Sequence, residues 1–278
     1  MLVTMGDSAK KILFVNTEMY PYLPETRMAK VCRELPQGIQ ERKKEIRAFM
    51  PRYGSINERK NQLHEVIRLS GMNIIISDVD RPLVIKVASI SAARIQVYFI
   101  DNEDYFRRKQ TAYDEDGQFF ADNGERAIFF ARGVLETVKK LRWAPDIIHC
   151  SGWISHVLPL YLKKAYKDDP IFSNSKVVLS LFDDVTEDKL SPGFNQTILY
   201  GAIGPDDVSL SENADGIELA KLAAQYADGI ILGAPDVNPA LTQYVEKLGV
   251  PVLPYKEEEL ADGSYMDSYN AFYDNLLV

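Results

Sequence analysis

Cysteine and histidine are scarce in this sequence. Its 278 residues hold two cysteines, Cys32 and Cys150, and three histidines, His64, His149 and His156. Both cysteines sit in apolar runs and read as small core residues, so no disulfide framework is expected. Free thiols suit a reducing cytoplasm. The five residues show no metal-ligand spacing, and neither a metal nor another cofactor is expected. A basic excess is missing too: 32 Lys and Arg face 40 Asp and Glu, a net charge of −8. Nucleic-acid binding usually leaves a basic footprint, so no nucleic-acid partner is expected, and the acidity reads as solubility. No apolar run approaches the ~18 residues of a membrane span, and the first eleven residues lack the apolar core of a secretory signal. A cytoplasmic protein without a membrane partner is the expectation.

No Gly/Ser/Pro-rich linker and no internal repeat divides the chain, so one domain over 1–278 is expected. Hydrophobic residues make up 46% of it and charged residues 26%, enough apolar content for a large core without staples. Residues 11–18 (KILFVNTE) form the short apolar run of a buried parallel strand. Thr26 is placed to cap a helix whose Met28, Val31, Cys32, Leu35 and Ile39 share one face. Residues 45–51 read as a second strand. Between 66 and 101 the character changes. Segments 73–77, 83–89 and 94–100 look like strands, with Arg81–Pro82 and Ser91–Ala93 as the turns between them, a β-rich insertion. Residues 122–141 predict an amphipathic helix with Asp122 at its cap. Strands follow at 146–150, 176–181, 229–232 and 250–253, and helices at 154–164, 218–226, 239–248 and 266–277. Residues 183–192 and 256–263 read as polar loops. This alternation predicts an α/β fold with a Rossmann-like, doubly wound, mostly parallel sheet.

Several stretches resemble the N-terminal catalytic domain of bacterial glycogen and starch synthases, glycosyltransferase family 5. Residues 11–39 resemble that family's opening strand, loop and helix. Residues 50–56 (MPRYGSI) resemble the segment after its second strand. Residues 98–135 carry Asp101, Tyr105, Phe106, Arg107, Asp122, Asn123, Arg126 and Phe129 in family-like order, and 145–162 (PDIIHCSGWISHVLPLYL) keep Trp153. The likeness spans about residues 11–248. It implies one half of a GT-B fold, the acceptor-side half, with the second, nucleotide-binding domain absent from this chain. The reaction it implies is transfer of glucose from ADP-glucose to an α-1,4-glucan.

The loops that would carry that reaction depart from the family pattern. Where the family has Lys-x-Gly-Gly-Leu, this chain has Pro24, Glu25, Thr26, Arg27 and Met28. Side chains replace the bare backbone that approaches phosphates. Arg27 offers a guanidinium fork, or is simply an exposed residue at a helix start. Where the family has His-x-His-Asp-Trp-His, the inner histidine is Ser151, the aspartate Gly152 and the last histidine Ile154. His149 reads as a packed core residue and His156 as exposed on the next helix. The family's Thr-Ile-His-Asn becomes Ser180, Leu181, Phe182 and Asp183, and the pair Asp183–Asp184 reads as solvated loop charge. No catalytic set is therefore intact. Glu18, Arg27, Tyr105, Asp122, Asn123 and Trp153 remain as candidate binding residues. Three readings stay open: a catalytically dead domain that binds an α-glucan or a protein, an enzyme completed by a partner that supplies the donor domain, and a structural, homo-oligomeric protein. In the last, the aromatic tail 256–278 packs on this chain or on a second copy.

Overall fold

The computed structural model describes residues 8–278. Ten strands form one sheet in the order β10-β9-β8-β7-β1-β2-β6-β5-β3, with β4 paired to β5. They are β1 (Lys11–Asn16), β2 (Glu45–Pro51), β3 (His64–Glu65), β4 (Met72–Ile76), β5 (Val79–Ile90), β6 (Ile95–Asp101), β7 (Ile147–Ser151), β8 (Lys176–Leu181), β9 (Gly229–Leu232) and β10 (Val252–Leu253). From β6 through β10 every pairing is parallel. β5 then joins β6, β4 and β3 antiparallel. The central strands read as near-continuous apolar runs because helices cover both faces. The α/β, mostly parallel architecture with a β-rich addition is the one expected from the alternation of segments.

The helices are α1 (Arg27–Glu41), α2 (Glu103–Phe106), α3 (Asn123–Leu141), α4 (Leu158–Lys164), α5 (Phe194–Thr197), α6 (Gly216–Gln225), α7 (Pro239–Val245), α8 (Glu257–Asp262) and α9 (Tyr265–Leu276). Thr26 caps α1 as expected, its side chain accepting from the Ala29 N–H at 3.0 Å. α1 and α9 lie against each other on one face of the sheet, while α3, α4 and α6 pack in succession. No helix among the described residues is long and apolar enough to cross a membrane.

Four local expectations change. Arg81 and Pro82 are not a turn but lie inside the long strand β5. The hairpin instead turns at Ser77–Asp78, with φ of 50° and 62°. Two successive left-handed residues make the tight turn whose twist suits a hairpin, and Asp tolerates that conformation. Residues 256–263 are not a loop, because α8 occupies most of them. Three glutamates fill its first turn, where the positive end of the helix dipole favours them, and Gly263 ends it at φ 82°. The helix expected at 154–164 is split into a single 3-10 turn, Trp153–Ser155, and α4. Pro159 in the first turn of α4 marks the restart. Asp122 makes no capping bond to α3 and instead binds Arg108, with 2.6 Å between Nη1 and Oδ1.

The aromatic tail packs on its own chain. Tyr265, Tyr269, Phe272 and Tyr273 are buried. His149 is the core histidine expected: it is buried and sits between Tyr273 Oη and Ser180 Oγ, each 2.6 Å from a ring nitrogen. Burial holds it neutral, pushed down to about 3. Removing the Tyr273 hydroxyl leaves an imidazole nitrogen buried and unpaired, which costs roughly 1–3 kcal/mol. Removing the ring as well opens a cavity, for a total of about 3–5 kcal/mol. Urea denaturation is expected to order the variants as wild type, then Tyr273→Phe, then Tyr273→Ala. Wild-type stability in both variants would mean that α9 does not pack against β7.

Candidate functional site at the strand switch point

The chain runs from β1 outward through β2 to β6, then returns to β7 on the other side of β1 and continues outward to β10. Connections therefore leave β1 and β7 in opposite directions. In open parallel sheets, a crevice opens beyond the carboxyl ends of such a pair and receives ligands. Here the pair is tied at its end by the Thr17 N–H, which donates to the Ser151 carbonyl at 2.9 Å. Gly152 follows at φ 85°, and a Cβ there would meet Met28 Sδ at 2.7 Å. Both the backbone conformation and the close approach require glycine. The Trp153 N–H donates to Asp184 Oδ2 at 2.7 Å, which joins the loop after β7 to the loop after β8.

Asp183 and Asp184 are not alike. Asp183 is exposed, as expected of loop charge. Asp184 is half-buried and turns inward, and its Oδ1 is buried without a partner among the described residues. Burial pushes its carboxyl up to about 7, and the negative charges of Glu18 and Asp183 add to the rise, while the Trp153 N–H opposes it. His156 is also not where expected. The 3-10 turn places it before α4 rather than on that helix's outer face, and it is 1% exposed. Its Nε2 has no partner, and burial pushes it down to about 3. Asp184 and His156 line one small cavity of about 30 Å³ with Trp153, Phe119, Tyr113 and Thr186. That is room for about one water, a natural partner for two orphaned polar atoms. Nothing in the sequence pattern distinguished Asp184 from Asp183 or turned His156 inward.

Several side chains at the loops after β1, β7 and β8 pack or pair within the protein. Thr26 Oγ1 caps α1 and donates to the Glu18 carboxylate. Arg27 is half-buried and pairs with Asp236 at 3.3 Å, beneath the Tyr255 ring at 5.7 Å. It is thus neither a free phosphate fork nor a bare exposed arginine. Ser151 is buried. Phe182 is buried as well, and its ring lies 2.6 Å from where a Cβ on Gly233 would stand.

Beside these loops runs an open groove of about 460 Å³ lined by Glu18, Leu23, Thr26, Ser55, Gln110 and Tyr113. The segment forming its far wall is held by Arg126, a fully buried guanidinium that donates to the carbonyls of Tyr105 at 2.9 Å and Thr111 at 2.6 Å and to Asn123 Oδ1 at 2.5 Å. Asn123 is itself buried and donates to the Ala112 carbonyl at 2.8 Å. Tyr105 is buried, its hydroxyl donating to Glu125 at 2.7 Å. The structure thus brings Glu18 to the groove and Trp153 to the adjoining cavity, whereas Tyr105, Asp122 and Asn123 engage protein groups around the wall. Among the described residues, no group of three or more His, Cys, Asp or Glu is placed to hold a metal.

A doubly wound sheet with its crevice at the switch point and a β-rich addition at one edge defines a Rossmann-like α/β domain. It resembles the catalytic domain of starch synthase IV from Arabidopsis thaliana, solved with ADP and acarbose, with a TM-score of 0.71 at 13% identity, over 89% of this chain and 51% of that one. The chain belongs to the starch synthase catalytic domain family, whose model matches residues 11–244. It is 37% identical to the glycogen synthase of Chlorobium limicola over 221 residues, which is 78% of this chain and 44% of that protein. It is 32% identical to the glycogen synthase of Chlorobium phaeovibrioides over 84% of this chain and 47% of that protein. The chain thus spans under half the length of these curated relatives.

The raised carboxyl of Asp184 has a defined consequence for stability. Its folded value of about 7 lies above the ordinary 3.8, so between those pH values the folded state holds a proton that the unfolded state has released. The contribution is neutral below about pH 4, becomes destabilising as pH rises, and is fully destabilising above about 7. Asp184→Asn keeps an acceptor for the Trp153 N–H and removes the charge. The difference in melting temperature, variant minus wild type, is expected to grow from pH 4 to pH 8. A flat difference would mean that Asp184 is ionised in the folded protein across this range.

Proposed function

We propose that this chain is an acceptor-side domain of the glycogen and starch synthase family that transfers no glucose itself and serves in the cytoplasm as an α-glucan-binding module. One observation carries this reading: at the loops where the family implies phosphate and sugar contacts, Thr26 bonds Glu18, Arg27 pairs with Asp236, and Ser151 and Phe182 are buried, while the groove beside them is open. Departure of a nucleoside diphosphate needs preorganised donors aimed at the developing negative charge. Arg27 is paired with Asp236 and lies against the Tyr255 ring, Glu25 adds negative charge nearby, and Ser151 is buried. The groove offers the second oxygen of the Glu18 carboxylate, the Ser55 hydroxyl and the Gln110 amide beside the Tyr113 ring. Such a mixture suits sugar hydroxyls and the apolar face of a pyranose.

The aromatic tail is buried against its own chain, which favours the reading of a cover over that of an interface with a second copy. The test is the melting temperature of the purified chain with maltoheptaose, ADP and ADP-glucose, run beside an assay of glucose transfer. A ligand that binds only the folded state stabilises it by about 2.7 kcal/mol at a hundredfold excess over its Kd. A shift with maltoheptaose alone and no transfer is expected. A shift with ADP-glucose, or glucan extension on addition of a donor domain, would replace this reading with that of an enzyme completed by a partner. No shift with any of the three would remove the glucan.

A further inference from the structure

A second concave site lies at the opposite end of the sheet, near the amino ends of β2 and β6 and beside the carboxyl end of α3. It is a cleft of about 510 Å³, and its polar lining includes Arg47, Arg68, Gln96, Tyr98 and Lys140. Three cations converge there, and among the described residues none is within ion-pair distance of a carboxylate, in a chain whose acidic residues outnumber its basic ones. Most other cations near buried structure are paired, such as Lys86 with Asp101 and Lys163 with Asp228. We propose that this cleft binds a small phosphate monoester.

Its central cation is fixed in place. The Arg47 guanidinium lies 5.7 Å from the Tyr98 ring centre and 5.2 Å from that of Trp143. Its Nη1 donates to Tyr98 Oη at 2.5 Å, and that hydroxyl donates on to Gln96 Oε1 at 2.9 Å. Trp143 is anchored in turn through its indole N–H to Glu45, the nearest carboxylate in this chain of contacts, which is thereby turned to the indole. This chain of bonds leaves donors unspent: Arg47 Nη2, the Gln96 amide nitrogen and the Arg68 guanidinium bond to no other described residue. Lys140 Nζ makes only a long bond to the Leu69 carbonyl, 3.4 Å. The free polar groups are thus almost all donors, and three are on cations. That lining selects a ligand rich in acceptors and negatively charged, and the three terminal oxygens of a phosphate monoester match it. The end of α3 would repel an anion through its carbonyls, but Arg142 covers those of Val138 and Lys139 with its backbone N–H. Arg68 and Lys140 are exposed, so they reach a ligand without opening the fold. A concave cleft with its central arginine immobilised suits a compact ligand better than an extended polyanion.

The site shares no residue with the groove at the switch point, so it stands or falls apart from glucan binding. Isothermal titration calorimetry at constant ionic strength tests it, using inorganic phosphate, glycerol 3-phosphate, sulfate and citrate, with glycerol as the uncharged control. Saturable binding of phosphate and glycerol 3-phosphate at one site is expected. Arg68→Gln and Lys140→Gln should each weaken it by about tenfold or more, the effect of one charge-assisted hydrogen bond. Circular dichroism and the melting temperature of both variants are expected to match wild type, since neither side chain is in the core. No saturation by about 10 mM, a Kd too weak for a built site, overturns the proposal. So does binding that both substitutions leave unchanged, a preference for citrate over the phosphate ester, or binding of heparin without binding of either phosphate.

Discussion

The parallel pairing of β1 with β7 is the constraint on which the rest of the site depends. Five register pairs, from Ile12↔Ile147 to Asn16↔Ser151, bring together strands far apart in the chain. The pairing sets where the winding reverses and so where the crevice opens. It also sets the height at which each following loop begins. Gly152 crosses over Thr17 with no room for a side chain, and that close passage delivers Trp153 toward the loop after β8. Asp184 receives the Trp153 N–H because β7 and β8 end at the same level, with Ser151 opposite Ser180. A slip of one residue would turn Ser151 and His149 to the other face of the sheet.

Two ionisable groups, buried Arg126 and half-buried Asp184, hold the surroundings of the crevice by different means. Arg126 gathers carbonyls and an amide, with the Tyr53, Phe106, Phe120 and Trp153 rings within 6.0 Å of its guanidinium carbon. Among the described residues no carboxylate pairs with it and its Nη2 has no hydrogen-bond partner, and burial lowers its affinity for its proton. The hydrogen bonds and ring faces compensate the charge and thereby fix the wall of the groove. Asp184 is the opposite case. It keeps one accepted bond and one orphan oxygen, and its charge is suppressed instead of compensated. The first arrangement is a rigid support. The second leaves a group that changes charge near neutral pH beside a small cavity.

The chain's charge is also organised by place. Glu18 and Asp114, together with Lys109, line the groove, whereas three cations without carboxylate partners among the described residues gather at the far end of the sheet. Net charge alone pointed away from a nucleic-acid partner and said nothing of small anions, because a sum over the chain does not register where charges fall. Only folding brings Arg47, Arg68 and Lys140, from a strand, a turn and a helix end, to one cleft.

Most of the secondary structure was legible in the sequence, since apolar periodicity reports burial directly. β2, β8 and β9 begin and end where that periodicity changes, and Thr26 caps α1 because the capping bond is local. The order of family-like segments likewise identified the family, and the loops that lost its polar residues were visible as substitutions. What the sequence could not decide were distances between residues remote in the chain. Adjacent Asp183 and Asp184 look equivalent until the loop after β7 presents an N–H to one of them. His156 follows a helical pattern until a 3-10 turn shifts it inward. Arg27 looks like a free cation until Asp236 and Tyr255 close over it. Local patterning sets which segments are strands and helices, because a residue's period depends only on its neighbours in sequence. Burial, charge compensation and the lining of a cavity depend on neighbours in space, and those were assigned only when β1 and β7 came side by side.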